Sequence, residues 1–345
     1  MIRLCLCLLL TWSLAAQAVS ESDYELKMKE EVLPFFAKGE QGQLTSFDGK
    51  KLQYHYFQHP NAHSNLIIAT GWTEGAPKYA ELIYDLHQAG VETFIMDWRG
   101  QGLSERLIQD TQVTWVADYG DFVKDLHQFV TEVVKPRARL PLTIMGHSMG
   151  ANVTTLYMTQ HPEVFDRAVL SSPMLDMILG PYPTWVGRAI SWFYNAVGFG
   201  TSMVWGHSYF DPSKSENWVT HSKSRWNFWN QYKVDHPQYV LNAASFRWVL
   251  EGLKATDYMK EKAQLIQVPL LMLQAGRDLY VATEGQDRVC EKAYYCKKIT
   301  YPFAKHEILN EVDLIRQDAV DEIVRFLRRD LKVPDELKYN SAAAK

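Results

Sequence analysis

A serine, an aspartate and a histidine stand in this chain where they could act as nucleophile, acid and base. Ser148 is the middle residue of GHSMG (146–150), with the strand-like LPLTIM (140–145) before it and the helix-compatible ANVTTLYMTQ (151–160) after it. A G-x-S-x-G between strand and helix is a nucleophile elbow, a turn so tight that its flanking residues must be small and the serine is thrust out above the sheet. A hydroxyl attacks a carbonyl well only when a base removes its proton and a third group orients that base. Downstream, VPLLMLQ (268–274) reads as a buried strand with Asp278 in the turn beyond it, and KKITYPF (297–303) reads as the next strand, followed by AKHEILNE with His306. The chemistry such a set performs is acyl transfer. Asp176, which follows the strand-like DRAVLSSP (166–173), is the alternative acid, and position favours Asp278.

Three residues so far apart in sequence meet only if a fold brings them together. After a helix-like ESDYELKMKEEVLPFFAK (21–38), GQLTSF and KLQYHYFQ form a hairpin pattern around Asp48 and Gly49. NLIIAT, VETFIMD, LPLTIMG, DRAVLSS, VPLLMLQ and KKITYPF then alternate with longer helix-compatible segments. That alternation predicts an α/β protein, a mostly parallel sheet with helices on both faces. It breaks over 175–259, expected to be an inserted helical cap on a core of 19–174 and 260–333, with 334–345 as a tail. His55 and His59 have a spacing that suits a metal on a helix, but LQYHYFQ (52–58) alternates like a strand, and no HExxH or CxxC occurs.

Composition narrows the partners. The chain has 345 residues, 47% hydrophobic and 22% charged, enough to bury a large core, and a net charge of −4 offers no general basic surface for nucleic acid. Residues 1–18 run from a basic start through an apolar stretch to AQA, the order of a signal peptide. Export to the periplasm or medium with cleavage after Ala18 is expected, with an uncleaved membrane anchor as the alternative. Cys5 and Cys7 would leave with that segment. In an oxidising compartment the remaining pair, Cys290 and Cys296, reads as a disulfide closing a small loop.

The cap segment holds seven of the chain's 11 tryptophans, Trp185, Trp192, Trp205, Trp218, Trp226, Trp229 and Trp248. Most would pack the cap on the platform, while some, with Trp226 and Trp229 as candidates, would wall an acyl chain over the serine. A surface so aromatic could also touch a membrane transiently.

GWTEGAPKYAELIYDL (71–86), DWRGQGLSER (97–106), the elbow, SSPML (171–175) and AKHEILNE (304–311) together resemble the lysophospholipase L2 branch of the α/β-hydrolases. That branch is related to the monoacylglycerol lipases and the serine aminopeptidase-type hydrolases. The resemblance implies an α/β-hydrolase fold, Ser148 as nucleophile, His306 as base and Asp278 as acid. It also implies an oxyanion hole made by the backbone N–H groups of Trp72 and Met149. Two positions depart from the pattern, Thr70 and Trp98, where relatives often carry histidine, which puts the contacts supporting the oxyanion loop in question. Asp97, Arg99, Gly100, Gly102 and Ser104 read as a structural turn, and Glu74 as a brace for the oxyanion loop. The implied reaction is hydrolysis of a single-chain lipid ester through an acyl-enzyme, with no metal or organic cofactor. The alternatives are a general carboxylesterase or an aminopeptidase-type amidase, the latter needing a cap carboxylate such as Glu216, Asp235 or Glu251 to hold an amine. A non-catalytic binding protein on the same fold is a remote third.

Overall fold

The computed structural model describes residues 19–180, 183–214 and 216–329. The expected signal peptide (1–18) and tail (334–345) lie outside them. Eight strands form one sheet: β1 Glu40–Thr45, β2 Lys51–Phe57, β3 Ser64–Ala69, β4 Val91–Met96, β5 Leu142–His147, β6 Arg167–Ser171, β7 Leu270–Ala275 and β8 Cys296–Tyr301. They lie in the spatial order β1-β2-β4-β3-β5-β6-β7-β8. β1 and β2 are the expected hairpin, β2 also runs antiparallel to β4, and every other pairing is parallel.

The main helices are α1 Ala80–Gln88, α2 Gly120–Gln128, α3 Met149–Gln160, α4 Thr184–Ala196, α5 Lys223–Asp235, α6 Phe246–Lys262, α7 Thr283–Lys292 and α8 Asp313–Leu327. The two faces of the sheet build separate cores. Along β3, Leu66 and Ile68 enter the core covered by α1 and α8, while Ile67 and Ala69 enter the core covered by α2 and α3. Burial on both faces is why these strands read as unbroken apolar runs and not as alternating ones. The N-terminal segment is helical with a π-helical turn, Met28–Val32, and seats Tyr24, Met28 and Val32 in the α1/α8 core.

Between β6 and β7 the chain leaves the sheet and forms α4, α5 and α6. Ser222 and Ser245 start α5 and α6 by accepting hydrogen bonds from the N–H groups of Arg225 and Trp248. α6 continues through Met259 to Lys262, and Ala243–Ala244 pairs in parallel with Val113–Thr114. Trp185, Trp192 and Trp205 on this insertion are 69%, 63% and 66% exposed. Cys290 and Cys296 are joined by a disulfide between α7 and the start of β8. No described helix is long and apolar enough to cross a membrane.

Candidate active site

β5 aims the chain at the rim of the sheet and the elbow turns it back. Ser148 sits at φ 50°, ψ −116°, a strained conformation for a residue with a side chain, and α3 starts at the next residue. Glycine at the flanking positions is a steric requirement. A Cβ on Gly150 would lie 2.2 Å from the Ala69 carbonyl oxygen, and one on Gly146 would lie 2.5 Å from Cα of Ala151.

The loops after β7 and β8 deliver the other two residues. His306 Nε2 lies 2.9 Å from Ser148 Oγ, and its Nδ1 lies 2.6 Å from Asp278 Oδ2. The second oxygen of Asp278 accepts from the N–H groups of Tyr280 (2.8 Å) and Val281 (3.1 Å), so the carboxylate cannot swing away. Asp176 is occupied elsewhere, 3.2 Å from Lys260 Nζ. With Asp278 on Nδ1, the unprotonated Nε2 faces the serine, which is the tautomer that accepts a proton.

The two residues expected to supply an oxyanion hole are Trp72, in the loop after β3, and Met149, next to Ser148. Met149 is the first residue of α3, so its N–H has no acceptor within the helix. Neither it nor the Trp72 N–H donates to a loop or turn carbonyl among the described residues. The loop bearing Trp72 is held from several directions. Glu74 Oε2 accepts from the Gly71 N–H and from the Tyr79 hydroxyl, each at 2.5 Å, and Gln101 accepts from the Thr73 N–H. Asp97 accepts from the Ala76 N–H (2.7 Å) and the Leu103 N–H (2.8 Å), while Arg99 is paired with Asp125 and Asp48. The two departures from the family pattern meet: the Trp98 indole N–H donates to the Thr70 carbonyl at 2.8 Å and anchors the start of the loop.

Behind His306 lies a charged network that no sequence motif announced. Lys78 Nζ is 2.8 Å from Glu74 Oε1 and 2.5 Å from Glu307 Oε1, and all three side chains are buried. Lys78 follows Glu74 by four residues, a helical spacing that was a usable signal, but Glu307 arrives from across the fold. His147, whose ring centroid is 5.0 Å from that of His306, donates through Nδ1 to the Ser171 carbonyl.

The electrostatics assign protonation states. Burial alone would raise Glu74, but Lys78, His147 and the Tyr79 hydroxyl hold its carboxyl well below the usual range. Burial pushes His147 down to about 4, so it is neutral near pH 7. Burial also works against charge on His306, but the Asp278 carboxylate outweighs it and the imidazole pKa is raised. A protonated imidazole cannot take the serine proton, so activity falls as pH drops through that raised value. On a neutral substrate the acid limb of kcat/KM is therefore expected above the reference imidazole pKa of about 6.5. An inflection at or below that value contradicts the assignment of His306 as base.

Trp226 and Trp229, expected from sequence against the substrate, are placed elsewhere. Arg225, one turn from Trp229 on α5, is drawn into a buried pair with Glu81 at 2.9 Å and also bonds Asp313. That contact turns the face toward the N-terminal helix, where both tryptophans border a cavity of about 20 Å³ with Tyr24, Met28 and Pro77, lined by neither Ser148 nor His306. Among the cap aromatics that reach the Trp72 loop, Trp248 is stacked on Trp72 at 5.3 Å, with Tyr119 6.2 Å from Trp248. Of the cap carboxylates, Glu251 is paired with Arg247 and Lys254, Asp235 accepts from Gln231 on the exposed side of α5, and Glu216 is exposed. His55 is a buried strand residue packed on Phe36, and no group of three metal-ligating side chains occurs among the described residues.

Sheet order, elbow and loop placement together define an α/β-hydrolase fold. The chain belongs to the serine aminopeptidase, S33, family of hydrolases, which it matches over residues 60–313. It is 30% identical to lysophospholipase L2 of Escherichia coli (strain K12), covering 86% of this chain and 89% of that one. It is 25% identical to a monoacylglycerol lipase of Mycolicibacterium smegmatis, covering 76% and 88%. Among solved structures, a soluble variant of monoglyceride lipase from Saccharomyces cerevisiae superposes with a TM-score of 0.70 at 19% identity, over 86% of this chain and 96% of that one.

Proposed function

We propose that this protein is a serine hydrolase that cleaves the carboxylic ester of single-chain lipids through an acyl-enzyme on Ser148. The observation that carries the reading is the hydrogen-bonded order Ser148, His306, Asp278 at 2.9 and 2.6 Å beside two available backbone N–H groups. His306 takes the Ser148 proton as Oγ attacks the ester carbonyl. The Trp72 and Met149 N–H groups receive the developing oxyanion, and His306 returns the proton to the leaving alcohol. Water then repeats the sequence and frees the fatty acid. Lipid as the substrate class is supported by the likeness to lysophospholipase L2 and monoacylglycerol lipase, and by the aromatic stack of Trp72, Trp248 and Tyr119 that joins the cap to the Trp72 loop. An amine-holding carboxylate, which the aminopeptidase reading needs, has less support, because buried Glu251 is already paired with Arg247 and Lys254.

The exposed Trp185, Trp192 and Trp205 suit transient contact with a lipid surface, where indole rings favour the headgroup region. The Cys290–Cys296 disulfide agrees with export to an oxidising compartment.

The test is a chain-length series. Each acyl methylene buried contributes ~0.8 kcal/mol, or about fourfold in kcat/KM if realised in the transition state, so efficiency should climb steeply from acetyl to medium-chain esters. Trp248→Ala should flatten that climb while sparing acetyl turnover relatively. Preference of the intact enzyme for p-nitrophenyl acetate over the laurate, or for aminoacyl amides over monoacylglycerols and lysophospholipids, would refute the lipid reading. Failure of a fluorophosphonate probe to label Ser148 would remove the catalytic reading altogether.

A further inference from the structure

Two hydrogen bonds hold the His306 imidazole, and the reaction breaks one of them. Its Nδ1 lies 2.6 Å from Asp278 Oδ2 and its Nε2 lies 2.9 Å from Ser148 Oγ. Once Ser148 is acylated its oxygen no longer shares a proton with Nε2, and a single bond to Asp278 fixes one atom of the ring but not its plane. Turning about that bond would carry Nε2 off line for the incoming water. Packing on the ring is what resists the turn. His147 lies 5.0 Å from His306 between ring centroids with the planes at 50°, and Tyr280 lies 5.4 Å from it at 44°. Both separations are those of aromatic rings in contact.

His147 is part of the elbow and is held by the Ser171 carbonyl. Tyr280 comes from the acid loop and is held at both of its backbone groups. Its N–H donates to Asp278 Oδ1 at 2.8 Å, and its carbonyl accepts from the Ile178 N–H at 3.0 Å. Ile178 lies where the chain passes from β6 into the cap. There Met177 bridges to Val281, and the Asp176 carbonyl accepts from the Ala282 N–H at 3.1 Å. One residue thus touches the acid through its N–H, the base through its ring and the entry of the cap through its carbonyl. Tyr280 is 39% exposed, so its ring is not part of either core, and core packing does not explain why it is so firmly placed.

We propose that Tyr280 is a positioning residue of this enzyme, whose ring keeps His306 Nε2 aimed at the reacting oxygen through both half-reactions. The inference rests on the serine-hydrolase reading above. Flat contact with the imidazole is the property required, and the phenol hydroxyl takes no part in the chemistry. A catalytic group misplaced by about 1 Å costs on the order of 10²-fold in rate, which sets the scale of the expected effect.

The experiment uses p-nitrophenyl acetate, whose acyl group is too short to depend on apolar contacts in the cap. Tyr280→Ala should lower kcat by about 10- to 100-fold without raising KM, because the loss is in the aim of the base and not in substrate binding. Tyr280→Phe keeps the ring and should hold kcat within about twofold of the wild type. A kcat unchanged in Tyr280→Ala overturns the proposal while leaving the hydrolase reading intact. Equal losses in Tyr280→Phe and Tyr280→Ala also overturn it, since they would assign the effect to the hydroxyl. Wild-type protein that neither hydrolyses the ester nor takes a fluorophosphonate label on Ser148 defeats both readings. Should Tyr280→Ala fail to fold, Tyr280→Leu takes its place, keeping apolar bulk but not the flat face. Its kcat should fall by at least about fivefold, and a folded Tyr280→Leu with the kcat of the wild type overturns the proposal.

Discussion

Ser148→Ala and His306→Ala should each lower kcat by at least ~10⁴ while leaving the melting temperature near that of the wild type, because a nucleophile and its base act as one unit and removing either removes the route. The double variant should be little worse than either single one, and that non-additivity distinguishes a shared mechanism from two independent contributions. Asp278→Asn should also cost several orders of magnitude. Its oxygen is 2.6 Å from His306 Nδ1, and an amide there can donate to that nitrogen, reversing the tautomer so that Nε2 carries the proton it must accept. Asp176→Asn gives the control. Asp176 follows a strand just as Asp278 does, but its partner is Lys260, so its loss should cost stability on the scale of one partly exposed ion pair and leave kcat close to wild type. Near-full activity in Asp278→Asn together with inactivity in Asp176→Asn would reverse the assignment of the acid.

That outcome also bears on what a sequence can convey. The elbow was legible because its signal is local: strand type before, helix type after, and two glycines whose missing side chains are demanded within five residues. The sheet was legible because strands buried on both faces show as apolar runs. Asp278 and His306 were legible only through position, each just past a strand end.

Facing was not legible. Trp226 and Trp229 sit in a segment dense with aromatics, and composition cannot say which way α5 turns. The Arg225 to Glu81 contact, formed with a residue far away in sequence, decides that. Thr70 and Trp98 look separately like losses from the family pattern. Together they form one hydrogen bond, between an indole N–H and a backbone carbonyl, and this second contact is invisible until β3 and β4 are paired.

The charged network behind His306 yields the second large expected effect. Lys78 is 9% exposed at its side chain, between carboxylates 5% and 11% exposed. Lys78→Met would leave two buried carboxylates without their cation, a change that typically costs about 3–5 kcal/mol. By contrast Lys29, whose pair with Glu25 is 63% and 73% exposed, should tolerate the same substitution within about 0.5 kcal/mol. The sign of the pH dependence separates electrostatic loss from poor packing. In the wild type the Glu74 pKa is lowered, so the stability it contributes is present above its unfolded value and is lost only as pH falls through the folded one. Without Lys78, burial would dominate and raise the folded pKa of Glu74. Folding would then be favoured below its unfolded value and weakened as pH rises through the folded one. The stability gap between Lys78→Met and the wild type should therefore narrow as pH is lowered from 7 to 5. Glu307→Gln added to Lys78→Met should narrow it further at pH 7 by removing one of the stranded charges. A gap that stays constant with pH would mean that Lys78 acts through its hydrocarbon stem alone. Should the oxyanion loop depend on this network, kcat in Lys78→Met should fall even where the variant is fully folded, because Glu74 also holds the Gly71 N–H at the start of the Trp72 turn.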